Sequence, residues 1–600
     1  MQSKRKRRPL AEGGSHEEER IACQRKGVPY SRVILFLSRQ HPSRLRRCII
    51  GRTVGTLAKG RWFRMSVVET CRGCALCCLL LTLAQLVGMS ANAQEKPPAP
   101  RPGDLVLSTD FDTPEERQAW SQALFATWVE GYQGTTSLCV TVPADRAQEA
   151  SMVRMPLDLE PYRGYRLYFE CMAKAEGVSK PSKPWLGVKF MLHYNSPTNG
   201  PFWKNQDNVY GTFDWQKLSF TAPIASDATD GEIYLGLQDS SGVVWFDAIR
   251  VTVYKGPPPP RPQPPANPGP VFKGHDLPRL RGVMSPNVFR DEDLRVLGLE
   301  WKANLIRWQI TRNWGQAGTD RDLDEYDRWF EGKLDDLDKA VEACRRYGIK
   351  VVVDMHSPPG GRYQNGELAI FHEAVYQDHF VALWEKIARR YKGERAIWGY
   401  DLVNEPVQNV PSPPGVADYL QAQVRAARAI RAIDPDVTIF IEANEWDSPY
   451  GFRELEPVDV PNVVYQVHMY VPGEFTHQGV GGSPTGVAYP GEINGVRWDK
   501  ERLREVLRPV REFQLAYNVH TYVGEFSAIR WAPGAVDYLR DCIELFEEYG
   551  WDWSYHAYRE WDGWSVEHSS DPNDHQPTRE PTDRMRLLLE WFSRNEKPQM

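Results

Sequence analysis

Past residue 93 this 600-residue chain holds four cysteines: Cys139, Cys171, Cys344 and Cys542. Cys71 and Cys74 form a CxxC, but no separate second pair and no histidine cluster completes a zinc site, and the stretch is apolar, so metal binding there is not expected. Positive charge is not in excess: the formal net charge is -6, which argues against nucleic acid as the main partner. No segment beyond the first 93 residues is apolar enough to cross a membrane. No cofactor motif stands out.

What is present is more telling. Six hundred residues exceed one hydrophobic core, so two or more domains are expected. Aromatic residues reach 12%, with 21 tryptophans. Such an excess fits either a large aromatic core or surfaces that stack on flat apolar faces such as sugar rings, and a mixture of both is expected.

The first 64 residues are basic and patternless, with Lys4 to Arg8 reading KRKRR. A nucleic-acid or nuclear patch is one reading. An unstructured or misassigned leader is the preferred one. Met65 makes a better start. Arg72 supplies a weak positive region, 75–88 is apolar but too short to span a bilayer, and Ala91-Asn92-Ala93 is a cleavage site of the A-x-A kind. The expectation is a secretory signal peptide over the end of 1–93, maturation after Ala93 and a secreted protein.

From 104 to 255 helical signals fade. Short alternating runs such as SLCVTV, YRLYFEC, LGVKFML and GEIYLGLQ are separated by Gly, Pro, Asp and Ser turns. They predict an all-β sandwich. Trp128, Trp185, Trp203 and Tyr210 are candidates for a sugar-stacking platform. Trp215 and Trp245, each in a strand-like alternation, are expected to pack inside. Cys139 and Cys171 are either bridged or free buried thiols. Residues 256–270, GPPPPRPQPPANPGP, read as a polyproline linker holding two domains apart.

From 271 to 600 strand-like runs alternate with amphipathic helical patterns. The runs are LRGVMSPN, ANLIRWQI, KVVVDMHS, WGYDLVNE, TIFIEANE, VVYQVHMY, VHTYVGEF and WDWSYHAY. Helical patterns cover 326–347, 373–391, 418–433, 500–517 and 535–549, and the fifth unit has no long helix of its own. The α/β alternation predicts a (β/α)₈ TIM barrel preceded by the all-β sandwich.

In such a barrel, polar residues at the carboxyl ends of strands carry the chemistry. In order they are Arg307, His356, Asn404 and Glu405, His468 and Tyr470, Glu525, and then His556 with Arg559, Glu560, Trp561 and Trp564. Two carboxylates on two strand ends are the minimal kit for hydrolysing a glycosidic bond. One donates a proton, and the other attacks the sugar. Asp354 and Asp401, inside strands, are expected to tie the barrel core together.

The set LIRWQI, VVVDMH, LVNEP, YQVHMY and VGEFS resembles glycoside hydrolase family 5, the cellulase-type family with catalytic glutamates on barrel strands four and seven. The resemblance spans about 275–595. It implies Glu405 as acid/base and Glu525 as nucleophile, with Asn404 on the sugar 2-hydroxyl. Arg307 and Tyr470 would hold Glu525 ionised and aimed, and His356 and His468 would line the central subsite. One position departs: where the family has a tryptophan floor after strand eight, this chain has His556, with Trp561 or Trp564 as alternatives. The ending GLQDSSGVVWFDAIRVTVY of the sandwich is similar to the last strands of jelly-roll carbohydrate-binding modules.

The resemblance implies a monomeric, retaining β-glycosidase acting on a polysaccharide, foremost an endo-β-1,4-glucanase. The alternatives are the same mechanism on mannan, xyloglucan or another β-glycan, endo or exo, and an inactive carbohydrate-binding protein.

Overall fold

The computed structural model describes residues 98–600, apart from Asn199 and the side chain of Trp314. The leader, the Met65 start and the Ala93 cleavage site lie outside the described residues.

Ten strands come first: β1 Leu105–Thr109, β2 Ala126–Glu130, β3 Thr136–Val142, β4 Ser151–Pro156, β5 Arg166–Val178, β6 Gly187–Ser196, β7 Gly200–Lys204, β8 Gly211–Pro223, β9 Thr229–Gln238 and β10 Gly242–Lys255. They form two antiparallel sheets, β2-β3-β10-β5-β8 with β1 on β10, and β4-β9-β6-β7. One core lies between them. Leu138, Phe169 and Phe246 meet it from the first sheet, and Val153, Phe190 and Leu235 from the second. The period of two explains the burial: along β5, Leu167, Phe169, Cys171, Ala173 and Ala175 point inward and their neighbours outward.

The same alternation overturns one expectation. Val244 and Phe246 take the inward places on β10, so Trp245 between them faces outward, half-buried, with the Lys174 ammonium 5.6 Å from its ring. Trp215 is also half-buried, beside Tyr132 at 5.4 Å, rather than packed inside. Trp128, by contrast, leans on the core against Phe111 at 5.1 Å. Cys139 and Cys171 are free thiols, because β10 runs between the strands that carry them.

The second architecture is a closed barrel of eight parallel strands: β11 Arg281–Met284, β12 Leu305–Gln309, β13 Lys350–Asp354, β14 Ile397–Asp401, β15 Thr438–Glu442, β16 Val463–Met469, β19 Thr521–Phe526 and β20 Asp552–Tyr555. A hairpin, β17 Gly491–Ile493 and β18 Val496–Trp498, interrupts the count. Long helices follow the second, third, fourth, sixth and seventh barrel strands: Leu323–Tyr347, Ala374–Tyr391, Tyr419–Ile433, Lys500–Tyr517 and Ala535–Tyr549. Asp322, Asp418 and Asp499 cap three of them by accepting backbone N–H bonds in the first turn. The fifth unit has only the single turn Gly451–Arg453.

The barrel interior is layered. Leu305, Val352, Trp398, Phe440, Val464 and Tyr522 fill one end with apolar packing. Two residues further along their strands, Arg307, Asp354, Glu442 and Gln466 make the next layer fully buried and polar. The carboxyl ends of the strands therefore open onto a charged floor.

The proline-rich segment does not hold the sandwich away from the barrel. Arg261 within it donates to the carbonyl of Pro509 at 2.8 Å, and Asn518 donates to the carbonyl of Gly269 at 3.2 Å. An extended segment leaves its own carbonyls unpaired, and the Asn518 side chain takes up that of Gly269. The sandwich touches the barrel directly: the Thr221 N–H donates to the Asn409 carbonyl at 2.8 Å.

Candidate active site

A cleft of about 930 Å³ lies over the strand ends, lined among others by His356, Glu405, Trp446, His468, Tyr470, Glu525, His556, Trp561 and Trp564. Glu525 sits within β19, whereas Glu405, His356 and Tyr470 lie just beyond their strands. Extended chain past the last ladder bond lets these side chains reach the centre. Glu405 adopts a left-handed backbone, φ 51, to do so.

Glu525 is held from three sides. Arg307 Nη1 donates to its Oε1 at 2.5 Å, and the Tyr470 hydroxyl donates to Oε2 at 2.8 Å. His468 Nδ1 lies 3.9 Å from Oε2 and 3.1 Å from Oε1 of Glu405, so one imidazole bridges the two glutamates. Oxygens of the two carboxyls fall within 4.8 Å of one another. Burial works against the charge of Glu525, but His468, His556 and Arg307 outweigh it and hold this carboxyl well below the usual range.

Arg307 is the hub of the floor. Its Nε binds Asp401 at 2.7 Å, and its Nη2 reaches Asp354 at 3.2 Å, Glu442 at 3.2 Å and the Asn404 side-chain oxygen at 3.0 Å. Four oxygen acceptors and the nearby Asp354 carboxylate around one guanidinium explain why an arginine tolerates full burial here. Asp354 and Asp401 thus tie the core together and orient Arg307. Burial raises the Glu442 carboxyl well above its usual range, and the nearby charges of Asp401 and Asp447 add to this.

Asn404 is buried under the cleft, its Nδ2 facing His356 Nε2 at 3.4 Å, while His356 Nδ1 pairs with Asp354 at 2.9 Å. His556 occupies the departing position. Its Nδ1 lies 2.6 Å from the Tyr470 oxygen and its Nε2 3.0 Å from Glu560. The single hydroxyl proton of Tyr470 goes to Glu525, so His556 must donate at both nitrogens and is an imidazolium. Burial opposes that charge, yet Glu560 and Glu525 push its pKa up to about 9. Trp561 is exposed and Trp564 buried behind it, their rings 5.7 Å apart.

Three contributors were missed in the sequence. Glu442 accepts the Glu405 N–H at 2.6 Å, and a carboxylate at the end of TIFIEANE was the available signal. Trp446 lines the cleft from a loop that no motif marks, and His477 from the glycine-rich loop 472–494, which reads in the sequence as a cleft wall without singling out this residue. Glu405, His468 and Glu525 have metal-ligand spacing, as do Glu442, Asp447 and His468. The cation such acids attract is already supplied by Arg307.

A closed parallel barrel with two facing carboxylates at its strand ends is the arrangement that hydrolysis of a glycosidic bond requires. Residues 273–564 match the family model described as Cellulase (glycosyl hydrolase family 5). Endoglucanase C of Acetivibrio thermocellus is 31% identical over 263 residues, spanning 39% of this chain and 75% of that protein. Cellodextrinase A of Ruminococcus flavefaciens is 27% identical over 249 residues, spanning 40% and 70%. A solved hyperthermophilic endo-β-1,4-glucanase in complex with substrate aligns over 53% of this chain and 99% of its own, at 21% identity and a TM-score of 0.43. The chain belongs to glycosyl hydrolase family 5.

Proposed function

We propose that this is a secreted, retaining β-glycosidase that cuts β-1,4-glucan chains internally, with Glu525 as nucleophile and Glu405 as acid/base. One observation supports the mechanism: one oxygen of Glu405 and one of Glu525 lie within 4.8 Å. Retaining enzymes place their carboxyls about 5 Å apart, whereas inverting ones need roughly 6.5 Å or more to admit a water. Glu525 attacks the anomeric carbon while Glu405 protonates the departing glycosidic oxygen. The C–O bond breaks and a glycosyl ester of Glu525 forms. Glu405, now a carboxylate, takes a proton from water, which attacks the same carbon and frees Glu525.

Arg307 and Tyr470 keep the nucleophile charged and aimed. His356 and His468 border the reacting sugar, and His556 and Trp561 shape its subsite. The Asn404 side chain is assigned to the sugar 2-hydroxyl. The names of the relatives, an endoglucanase and a cellodextrinase, support a β-glucan as substrate. The imidazolium of His556 in place of a tryptophan floor favours keeping mannan and xyloglucan as second candidates.

Export rests on the Ala91-Asn92-Ala93 site. A carbohydrate-binding role for the sandwich rests on its exposed aromatics Trp185, Trp203 and Tyr210, with Trp203 stacked on His193 at 3.6 Å. The working division is 104–255 for the sandwich, 256–270 for the proline-rich segment and 271–600 for the barrel.

The test is a panel of purified β-glycans with chromatography of the products. Internal cuts in β-1,4-glucan are expected. Cleavage of mannan alone would overturn the substrate, and inertness on every glycan and on an activated aryl β-glycoside would return the chain to a binding protein.

A further inference from the structure

Trp446 lines the cleft with 47% of its surface exposed. Its back is rigid. The Arg362 guanidinium lies 4.7 Å from the ring centre, and Arg362 itself donates to the carbonyls of Gly366, Asn404 and Glu405 at 2.8, 3.0 and 2.9 Å. Gly366 is required beneath the ring, because a Cβ there would come within 2.9 Å of it. A flat indole with one backed face and one open to the cleft is a platform for a pyranose ring.

The backbone that presents this ring is unusual. Glu445, Trp446 and Asp447 are all left-handed, with φ of 64, 62 and 50. Non-glycine residues hold that conformation only where their surroundings enforce it. Two of the three are enforced from within the barrel. The Asp447 carboxylate accepts the Ala443 N–H at 2.8 Å, its carbonyl accepts the His468 N–H at 2.8 Å, and the Trp446 N–H donates to the Pro406 carbonyl at 3.2 Å.

The side chain of the third, Glu445, turns to the sandwich, where Arg166 of β5 lies 3.6 Å away. Arg166 is no loose surface cation. It is bidentate to Glu454 at 3.0 and 2.6 Å, donates to the Thr221 hydroxyl at 3.3 Å, and is only 12% exposed. Thr221 in turn joins the loop after Glu405 through Asn409.

We infer that the sandwich is a working wall of the cleft: Arg166 fixes Glu445 and thereby positions Trp446 as a stacking site for a sugar of the bound chain. The inference rests on the glycosidase reading for its substrate, and on the contacts alone for the coupling. It makes Arg166 a positioning residue, far in sequence from any catalytic group.

The test uses the full chain and two readouts. First, hydrogen exchange of segment 443–450 is compared in wild type, Arg166→Ala and Glu445→Gln; both variants should exchange faster. Second, kinetics are measured on cello-oligosaccharides of increasing length and on a short aryl β-glycoside. Arg166→Ala should raise KM on the long substrates about three- to ten-fold with kcat unchanged, and leave the aryl glycoside alone. In a Trp446→Ala background the Arg166 effect should vanish. Arg166→Lys should restore little, since the bidentate hold on Glu454 that seats the cation beside Glu445 is lost. Should Arg166→Ala fail to fold, Glu445→Gln leaves the sandwich intact and carries the same comparison. Unchanged exchange, or an Arg166 effect that persists without Trp446, overturns the inference. If the wild type cleaves no glycan, the glycosidase reading fails while the exchange data still decide the coupling.

Discussion

The backbone N–H of Glu405 donates to Glu442 Oε2 at 2.6 Å. This one bond ties the left-handed residue that reaches into the cleft to the end of the neighbouring strand, and Glu442 also faces Arg307. Glu442 therefore positions both proposed reacting groups at once. Both of its oxygens accept, Oε2 from the Glu405 N–H and Oε1 from Arg307 and Gln466, so an amide would turn an NH2 toward one of these donors. Glu442→Gln should lower kcat about tenfold. Glu442→Ala leaves the N–H unpaired and should lower kcat about 10- to 100-fold with a small change in KM. Steady-state kinetics decide; an alanine variant with full kcat would remove Glu442 from the machinery.

The apolar end of the barrel makes a separate claim. Phe440 packs edge-on against Trp398 at 4.8 Å and lies 5.1 Å from Tyr522, fully buried. Phe440→Ala should cost about 3–5 kcal/mol in urea unfolding, since a cavity opens where no side chain can collapse inward. KM of the folded enzyme should not move, because the polar layer separates this packing from the cleft. A shift in KM would show that the layers are coupled.

The barrel was legible because parallel strands buried on both faces are short unbroken apolar runs, as in Val351–Val353, and most are followed by a long amphipathic helix, three of them capped by aspartate. The absence of a long fifth helix was legible for the same reason. Trp215 and Trp245 were misplaced because alternation gives a period and not which face is inside. Glu442 and Trp446 were hidden for different reasons. A strand-end carboxylate has no sequence mark of what it binds, and Trp446 depends on three consecutive left-handed residues and an ion pair with a residue 279 positions earlier (Glu445 minus Arg166). The proline-rich segment looked like a spacer because composition shows its extended conformation but not the surface it lies on.

The Glu560–His556–Tyr470–Glu525 chain predicts a pH dependence. Below about 9 the imidazolium donates to Tyr470 and frees the phenol proton for Glu525. Above it, Tyr470 must turn its proton to His556, and Glu525 loses a donor. On an aryl glycoside whose leaving group needs no proton from Glu405, formation of the glycosyl ester should fall as pH rises through about 9, and Glu560→Gln should move that limb at least about one unit lower. Stability follows the same sign. The pKa is raised from 6.5, so the charged pair stabilises fully below 6.5 and the gain is lost as pH climbs through about 9. The difference in Tm between wild type and Glu560→Gln should therefore be largest near pH 6 and close by pH 10. An unchanged alkaline limb in the variant would assign it to another group.

The proposed double displacement makes the sharpest demand on the two glutamates. Glu525→Ala removes the atom that forms the glycosyl ester and should leave less than about 0.1% of wild-type turnover on every substrate. Glu405→Ala should discriminate. Substrates with poor leaving groups need protonation and should fail, whereas an aryl glycoside with a good leaving group completes the first step, and the glycosyl ester accumulates. Azide, a small anion needing no base, should then release it as the β-glycosyl azide. Because Arg307, His468 and His556 hold Glu525 well below its usual 4.5, formation of the ester should persist at pH values where free carboxylates protonate. Proton NMR of the first sugar released by the wild type reads the stereochemistry directly. A β-anomer from a β-substrate is expected, since two inversions at one carbon restore the configuration; an initial α-anomer would mean that water, not Glu525, attacks first.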